Sequence, residues 1–586
     1  MSQKRFLAMV GALAIFAAAC GGPTATPPPA STDPGASAPA SVEPSSGLAA
    51  DQILHVDIGQ EPPTLDPNKA QDASSLAVLR ALHRPLVYIN DKLEVVDALA
   101  ESHEISADAK TLTFTLRDAK YSNGEQIVAA DLVYSWKRLV DPRTAAPYSY
   151  VMAEVAGGGA LLDLAGADPM PPDAEIDALL DKLGVAAPDD KTFVVTLDTA
   201  ATYFLSAMTL WVGVPIQEKW ITAEGATEAA NYVSSGPFML DTWDHNSQII
   251  LKPNPNWYGD VKPTLTEINM IMSPEPAQTM AAYEAGEIDM VLPVPSEDIE
   301  RVKGDPVLGP EYAELTDLSP TYYNYNNGLD STGKKRSARC PDEKACPTSN
   351  KDFRIALTQA IDKEAFKNAT FAGLGKVAGT FVQPGIPGAI PDYEPYPYDP
   401  EAAKASMDKA LAAIGYASAA DIPALKMGFN SGSGHEPRVA FLAQAWLDTF
   451  GLKTEQIGSD FAVFLTQRTA GEYDIARNGW GADYPHANNQ LNGLFTCGGG
   501  NNDQQYCNPA FDELIQQAAV ELDPAKQVTI YEEAGKILAD DAASLFLRWG
   551  VQAELVKPYV SGVTTTPMDS TIPGEHFYET IQILEH

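Results

Sequence analysis

The sequence predicts a mixed α/β protein with more than one lobe. Strand-like and helix-like patterns alternate irregularly along the chain, without an internal repeat of the length that solenoids or propellers show. The chain has 586 residues, and chains of this length exceed what a single hydrophobic core supports. We therefore expect two or more lobes, each built from strands and the helices that cover them.

The first third of the chain contains three clear elements. Apolar residues alternate with threonines over residues 111–117, which predicts a half-buried strand. Residues 131–140 carry their apolar side chains at helical spacing and stop before a proline, which predicts a helix. Residues 193–197 are short, apolar and β-branched, and we expect a second strand there.

Two later strands run directly into polar loops. The strand at 425–429 is followed by a loop at 430–436 that contains His435, and then by a helix from Pro437 whose apolar stripe includes Leu447 and stops at Gly451. The strand at 473–476 leads into a loop rich in polar and aromatic residues. Because ligands of open α/β sheets bind at the carboxyl ends of strands, we expect these two loops to line one cleft.

The side chains of these loops suit a ligand that carries both charges. A carboxylate such as Asp483 can hold an ammonium group, while Arg477 and His435 can hold a carboxylate. Trp480 offers a flat wall for a pocket. Each residue also has a structural alternative: Asp483 as a loop cap, Arg477 as a surface charge or a member of a structural pair, and Trp480 as part of a core.

The N-terminus has the composition of an export signal. Lys4 and Arg5 precede an apolar run at 6–19, and small residues precede Cys20. The run is shorter than the roughly 20 apolar residues of a membrane-spanning helix. We therefore predict a signal peptide over residues 1–20, and no membrane-spanning segment in the mature chain.

Cys20 resembles the lipidated cysteine of a bacterial lipobox, although Ala17 stands where leucine is usual. A secretory signal without lipidation is the alternative. Residues 21–47 consist mostly of Pro, Ala, Ser, Thr and Gly and cannot bury enough surface to fold, so they are expected to form a tether. The predicted location is the outer face of the cytoplasmic membrane, or the periplasm, with the lipid as the only membrane attachment.

Charge and motifs argue against two classes of function. The formal net charge of −38 opposes nucleic-acid binding, which needs clustered lysine and arginine. The sequence has no HExxH, GxSxG or P-loop motif, and its eight histidines are scattered. We predict no catalytic residue, no cofactor and no metal site; an enzyme of unfamiliar type is the alternative.

Four cysteines besides Cys20 form two close pairs. Cys340 lies near Cys346, and Cys497 lies near Cys507, within segments rich in Gly, Asn and Pro. In an oxidising compartment such pairs indicate local disulfides. A zinc site is the alternative, but neither spacing is that of a zinc knuckle and no histidine is close.

Several short motifs follow one another in an order that is hard to obtain by chance. They are EPPTLDP (61–67), LAES (99–102), TLTFTLR (111–117), YSNGE (121–125), DLVYSWKR (131–138), GPF (236–238), AGEIDM (285–290), YYNYNN (322–327), GWGADY (479–484) and LVKPYV (555–560). In these motifs the chain resembles the extracellular solute-binding proteins of family 5, and most of all the oligopeptide-binding proteins of peptide ABC importers. The resemblance covers nearly all of residues 53–586.

The resemblance implies a two-lobed fold of the periplasmic-binding-protein type (class II, cluster C), with a hinge and an extra inserted domain. The predicted division places a discontinuous domain I at 48–82, 214–318 and 549–586, domain II at 83–213, and domain III, the second lobe, at 319–548.

It also implies a function. The protein is expected to capture short peptides between its lobes and to deliver them, as a monomer, to the permease subunits of an ABC importer. Two alternatives remain open at this stage. The same fold binds other solutes such as a nickel chelate, a haem or a sugar, and a peptide-sensing receptor or chaperone is also compatible with the sequence.

The resemblance assigns roles to individual residues. Asp483 matches the aspartate that pairs with the ligand's α-amino group, and Arg477 and His435 match residues that meet the ligand carboxylate. Gln71 stands where the family pattern has an acid near the amino-end pocket. The remaining candidates for the binding site are Trp480, Tyr484, Tyr323, Arg468 and Phe461.

Overall fold

A computed structural model describes residues 47–164, 167, 169–222, 226, 229–273, 275–328, 340–431, 434–499 and 501–586. The predicted signal peptide, Cys20 and nearly all of the predicted tether lie outside the described residues.

Strands and helices are interspersed along the described part of the chain. The strands are β1 (Ile53–Asp57), β2 (Val87–Ile89), β3 (Val95–Asp97), β4 (Ala100–Ile105), β5 (Thr111–Leu116), β6 (Val185–Ala186), β7 (Thr192–Thr196), β8 (Phe238–Asp244), β9 (Gln248–Pro253), β10 (Glu267–Ile271), β11 (Met290–Val291), β12 (Tyr312–Thr316), β13 (Thr321–Tyr325), β14 (Lys376–Val377), β15 (Leu425–Asn430), β16 (Thr454–Ser459), β17 (Ile475–Gly479), β18 (Ser544–Trp549), β19 (Val551–Val556), β20 (Val560–Ser561) and β21 (Gln582–Ile583). The α-helices are α1 (Ala73–Leu82), α2 (Ala129–Val140), α3 (Gly158–Leu162), α4 (Asp173–Leu180), α5 (Phe204–Ala207), α6 (Glu218–Ile221), α7 (Pro276–Ala285), α8 (Ile299–Gly304), α9 (Lys351–Gln359), α10 (Lys363–Thr370), α11 (Pro400–Ile414), α12 (Glu436–Phe450), α13 (Phe461–Thr469), α14 (Ala487–Phe495), α15 (Pro509–Val520) and α16 (Pro524–Asp540).

Two four-stranded sheets share the largest hydrophobic core. One has the order β1-β10-β9-β8, with β1 and β10 parallel, and the other is the antiparallel sheet β4-β5-β7-β6. The predicted strand β5 is confirmed, because its apolar residues Leu112, Phe114 and Leu116 are all buried. Helix α2 is also confirmed, and it packs Leu132 and Trp136 into the same core.

A six-stranded mixed sheet, in the order β14-β18-β13-β17-β15-β16, forms the second large layer. Helices α9, α10, α11 and α12 cover one face, where Trp446 and Tyr323 are buried. Helices α14, α15 and α16 cover the other face around Phe495 and Tyr531. The central strands of the sheet are thus buried on both sides, whereas the edge strand β16 is largely exposed.

Two short chain segments connect this sheet to the three-stranded sheet β11-β19-β12. Residues 317–320 join β12 to β13, and Gly550 alone joins β18 to β19. The two crossings lie side by side, since the amide of Asp317 donates to the carbonyl of Gly550 at 3.0 Å. A Cβ atom at Gly550 would lie 2.7 Å from the carbonyl oxygen of Ser319. The backbones therefore pack too closely for any larger residue.

Two predicted elements need correction. Leu447, which helical spacing places on the apolar stripe of α12, is 44% exposed, because the stripe is narrower than the spacing suggests. Strand β17 covers Ile475–Gly479 rather than 473–476. Arg477 therefore lies in a strand and not in the following loop: its polar side chain interrupts the apolar pattern, but pairing with β13 continues through it.

Candidate functional site

The carboxyl ends of four strands lie at one edge of the six-stranded sheet: those of β15, β17 and β18, and that of β16, which runs parallel to β15. Strands β15 and β17 are parallel, and β17 and β18 are both antiparallel to β13, which lies between them. Strands β15, β17 and β18 therefore point the same way and end at Asn430, Gly479 and Trp549. Ligands of open α/β sheets bind at such an edge.

The loop after β17 is held in place by Asn489 of helix α14. The Oδ1 atom of Asn489 accepts from the indole nitrogen of Trp480 and from the backbone amide of Asp483, each at 3.1 Å. The Nδ2 atom of Asn489 donates to the Asp483 carboxylate at 3.0 Å. Tyr484 is buried against the large core. Both flanks of Asp483 are thus fixed, and its carboxylate has a defined position.

Two tyrosines from the segment after α2 complete the surroundings of Asp483. The hydroxyl of Tyr148 donates to Oδ1 and that of Tyr150 to Oδ2, each at 3.3 Å. Burial raises the pKa of Asp483 above its usual value. Within the described ranges, no lysine, arginine or histidine lies within 4.0 Å of this carboxylate. Its partners among the described residues are therefore neutral donors, and none of them is a cation.

A cavity of about 40 Å³ adjoins Asp483. Its other walls include Leu210 and Trp211 but also Arg80, His83 and His576, so apolar and basic residues line it together. A water-sized group needs roughly 10–15 Å³ of such space. The cavity is therefore large enough for one small group of the size of an ammonium.

Arginines occupy the part of the same edge near Asn430. The Nε atom of Arg477 donates to Oδ1 of Asn430 at 2.6 Å, and burial together with the nearby Arg468 lowers the pKa of Arg477 to about 10. Arg468 is paired with Asp503 at 2.8 Å and also donates to Asn478 at 2.8 Å. Arg477 is thus a partly buried cation with a neutral partner, whereas Arg468 is compensated.

His435 lies at the start of helix α12 beside these arginines. Burial, followed by the charges of Arg477 and Arg438, lowers the pKa of His435 to about 4. The ring is therefore neutral near pH 7, and its Nδ1 atom can accept from Nη1 of Arg438, which lies 3.2 Å away. His435 can contribute a hydrogen bond to a ligand, but not a positive charge.

The other candidate residues differ in their placement. Tyr323 is opposite Arg477 in the sheet register, and its hydroxyl is buried without a hydrogen-bond partner. Phe461 is 52% exposed, with the Arg477 guanidinium 5.8 Å from its ring centre. Gln71 is exposed just before α1, and among the described residues no hydrogen bond or ion pair joins it to the other candidates.

Sequence reasoning missed three residues of this site. Tyr148 and Tyr150 belong to no recognisable motif, and their distance from Asp483 in the chain gives no sign of contact. Arg438 follows His435 by three residues at the start of a predicted helix, a spacing that places both on one helix face. That spacing could have identified Arg438.

Both predicted cysteine pairs form disulfides in the structure. Cys340 is bonded to Cys346, with their Cα atoms 4.9 Å apart, and Cys497 to Cys507, with a Cα distance of 4.6 Å. Asp512 lies close to the second pair, but its carboxylate accepts from the backbone amide of Cys497. These sulfur atoms are bonded to each other, which excludes them as thiolate ligands in this state.

The chain belongs to the bacterial extracellular solute-binding proteins of family 5. The family described as "Bacterial extracellular solute-binding proteins, family 5 Middle" matches residues 94–502. This is a family of solute-binding proteins, not one defined by an enzymatic reaction. In the described part of the chain, no helix is both long and apolar enough to span a membrane.

Similar proteins have been characterised in several bacteria. The oligopeptide-binding protein OppA of Bacillus subtilis is 29% identical over 83% of this chain and 86% of its own length. The structure of the Escherichia coli murein tripeptide binding protein MppA gives a TM-score of 0.70 with 26% identity, over 92% of this chain and all of MppA. Haemophilus influenzae OppA in complex with the peptide RPPGFSPFR gives 0.68 and 26%, with the same coverage. The predicted family and fold class are confirmed.

Proposed function

We propose that this protein captures short peptides in a cleft at the edge of its six-stranded sheet and delivers them to an ABC importer. The observation that carries the proposal is Asp483, a positioned and partly buried carboxylate without a described cationic partner. Its relatives bind oligopeptides or a murein tripeptide, and such ligands carry an amino terminus. The proposal assigns the ligand's α-ammonium group to Asp483.

The amino end of the ligand would be recognised by charge and shape together. An ammonium group offers three donors, and it would replace the hydroxyls of Tyr148 and Tyr150 as the partner of the carboxylate, or share the carboxylate with them. Trp480 is fixed by Asn489 and would form a flat wall beside the first residue. Tyr484 would support the loop from the core, and Gln71 would line the amino-end pocket more loosely.

The carboxyl end of the ligand would meet Arg477. Its guanidinium is bonded on one side to Asn430 and has further donors for a carboxylate. His435 and Tyr323 would add neutral hydrogen bonds, since both carry a polar atom near this arginine. Phe461 and Arg468 would shape the wall of the pocket. The main chain between the two ends would be held by backbone hydrogen bonds, which do not depend on side-chain identity.

The paired crossings at residues 317–320 and Gly550 support a hinge. They fall within two residues of the boundaries between domain I (48–82, 214–318 and 549–586) and domain III (319–548). Rotation about two adjacent short connections would close the lobes on a ligand. Domain II (83–213) would contribute Tyr148 and Tyr150 to the amino-end pocket.

The proposal also covers location and partners. Lipidation at Cys20 would retain the protein at the outer face of the cytoplasmic membrane, with residues 21–47 as the tether. The protein would act as a monomer that hands its ligand to permease subunits, and it would perform no chemistry on the ligand.

Native mass spectrometry of the purified protein tests the assignment. We expect complexes whose added mass, after gentle dissociation and fragmentation, corresponds to short peptides with free amino termini. Co-purification of a non-peptide solute instead, combined with no calorimetric binding of alanine peptides of three to five residues, would contradict the proposal.

A further inference from the structure

Arg438 is a second partly buried arginine beside Arg477, and the family resemblance gives it no role. It lies in the first turn of helix α12, where the helix dipole disfavours a positive charge. Within the described residues, no carboxylate lies within 4.0 Å of Arg438 or of Arg477. A local ion pair among the described residues therefore does not explain why a cation occupies this position.

The electrostatic environment of Arg438 is positive and would favour a bound anion. Burial lowers the pKa of Arg438, and its charge contributes to lowering the pKa values of Arg477, His435 and Arg548. The whole chain has a formal net charge of −38, so acids to neutralise this cluster are abundant in the sequence. Among the described residues, Glu436 acts on His435, but no carboxylate lies within 4.0 Å of either guanidinium, and an incoming anion would be favoured by the positive field of the two arginines.

Packing fixes the Arg438 guanidinium in place. It lies 4.1 Å from the ring centre of Phe371, and the Arg548 guanidinium lies 3.8 Å from the same ring. The Nε atom of Arg438 is buried and has no hydrogen-bond partner. Arg548 differs, because it donates to the carbonyl of Leu374 and lies in the field of Asp317. Arg438 and Arg477 thus differ from Arg548 and Arg468, because among the described residues each has a single hydrogen bond, to a neutral side chain, and no ion pair.

We propose that this end of the cleft selects peptides whose carboxyl-terminal residue is acidic, with Arg438 and Arg477 together holding the terminal and side-chain carboxylates. The inference rests on the proposed function and narrows its ligand class. A single α-carboxylate can be held by one guanidinium. A second guanidinium nearby, without an ion-pair partner among the described residues, would suit a second carboxylate on the same ligand. His435 is neutral and accepts from Arg438, so it orients this arginine rather than adding charge.

A matched pair of peptides tests the selection. Isothermal titration compares Ala-Ala-Ala-Glu with Ala-Ala-Ala-Gln, which differ by one charge, together with the corresponding pairs of three and five residues. We expect the wild-type protein to bind the glutamate peptide about tenfold to a hundredfold more tightly, as for a hydrogen bond to a charged group. Equal affinity for both peptides would overturn the inference.

Variants connect the preference to Arg438. Arg438→Met keeps the apolar stem and should reduce the glutamate-to-glutamine ratio to near one, while Arg438→Lys keeps the charge and should preserve most of it. Lys409→Met removes one exposed charge from α11 of the same lobe and should leave the ratio unchanged. A ratio that persists in Arg438→Met, at an unchanged melting temperature, would refute the role of Arg438. If neither peptide of any length binds the wild type, the proposed function itself fails, and the inference fails with it.

Discussion

Removing the charge of Asp483 should cost affinity and little stability. Asp483→Asn preserves the shape of the side chain. The new carbonyl oxygen can take the place of Oδ2 and accept from Asn489, while the new amide can donate to the hydroxyl of Tyr148, which turns to accept. Because burial raises the pKa of Asp483, the wild-type charge is itself a cost to the unliganded fold. We therefore expect the melting temperature of the unliganded variant to be unchanged or slightly higher.

The expected loss of affinity arises because the substitution leaves the ligand's ammonium group buried without the Asp483 carboxylate as its partner. Truncating one partner of such a pair costs about 2–5 kcal/mol, which corresponds to roughly thirtyfold to several thousandfold in Kd. Acetylating the peptide's amino group deletes the other member of the same pair. Acetylation should therefore weaken binding strongly in the wild type and little further in Asp483→Asn, since the two changes are not additive.

Calorimetric titration of alanine peptides of three to five residues measures the four combinations: wild type and Asp483→Asn, each with the free and the N-acetylated peptide. Asp512→Asn is the matched control. Burial also raises the pKa of Asp512, and it lies in the same lobe but accepts only from the backbone amide of Cys497 among the described residues. This control should leave both affinities unchanged. If the wild type binds acetylated and free peptides equally well, Asp483 does not hold the amino terminus, and the peptide assignment loses its main support.

Three further predictions concern the anchor, the crossing and the buried histidine. Replacing Cys20 by Ser should release the protein from the membrane fraction, and finding the wild type already free in the medium would contradict lipidation. Gly550→Ala should destabilise the fold by about 1–3 kcal/mol, because its Cβ would lie 2.7 Å from the carbonyl oxygen of Ser319. Gly493→Ala is the control: it lies on helix α14 with no atom near the added Cβ and should not destabilise the fold. Equal denaturation midpoints for the two variants would refute this account. Burial lowers the pKa of His83 to about 3, so below about pH 6.5 only the unfolded chain takes up its proton and stability falls as the pH falls. Between pH 7 and about pH 5 the free energy of unfolding of the wild type should fall, and His83→Gln should remove about 2 kcal/mol of that fall. Chemical denaturation at both pH values measures it, and a fall of the same size in the variant would contradict the prediction.

The sequence was informative where one short segment carries the physical signal. Alternation over β5 and helical spacing over α2 predicted both elements, because each buries a single face against a core. The two disulfides were predictable because each closes a short loop. Asp483 and Arg477 were predictable as candidates from the motif around them, which combines charge with aromatic residues at a strand exit.

The sequence was uninformative where the signal depends on tertiary contact. Tyr148 and Tyr150 reach Asp483 from a different part of the chain, and no periodicity connects them to it. The end of β17 was predicted too early because Arg477 interrupts the apolar pattern, whereas backbone pairing with β13 does not depend on side-chain polarity. The narrow buried stripe of α12, which excludes Leu447, likewise depends on how closely the neighbouring elements approach.

Arg477 and Asp483 carry opposite charges and lie near each other in the chain, but each is bonded to a neutral amide side chain. Arg477 and Asp483 are separated by only a few residues along one strand exit, and in a mobile loop their opposite charges would attract and neutralise each other. Asn489 prevents this, because it binds the Trp480 indole, the Asp483 amide and the Asp483 carboxylate at once. On the other side, Asn430 holds the Arg477 guanidinium. Two neutral amides therefore hold the cation and the anion in separate positions, and within the described part of the fold neither charge has an ion-pair partner. The proposed ligand, with an ammonium at one end and a carboxylate at the other, would pair with both.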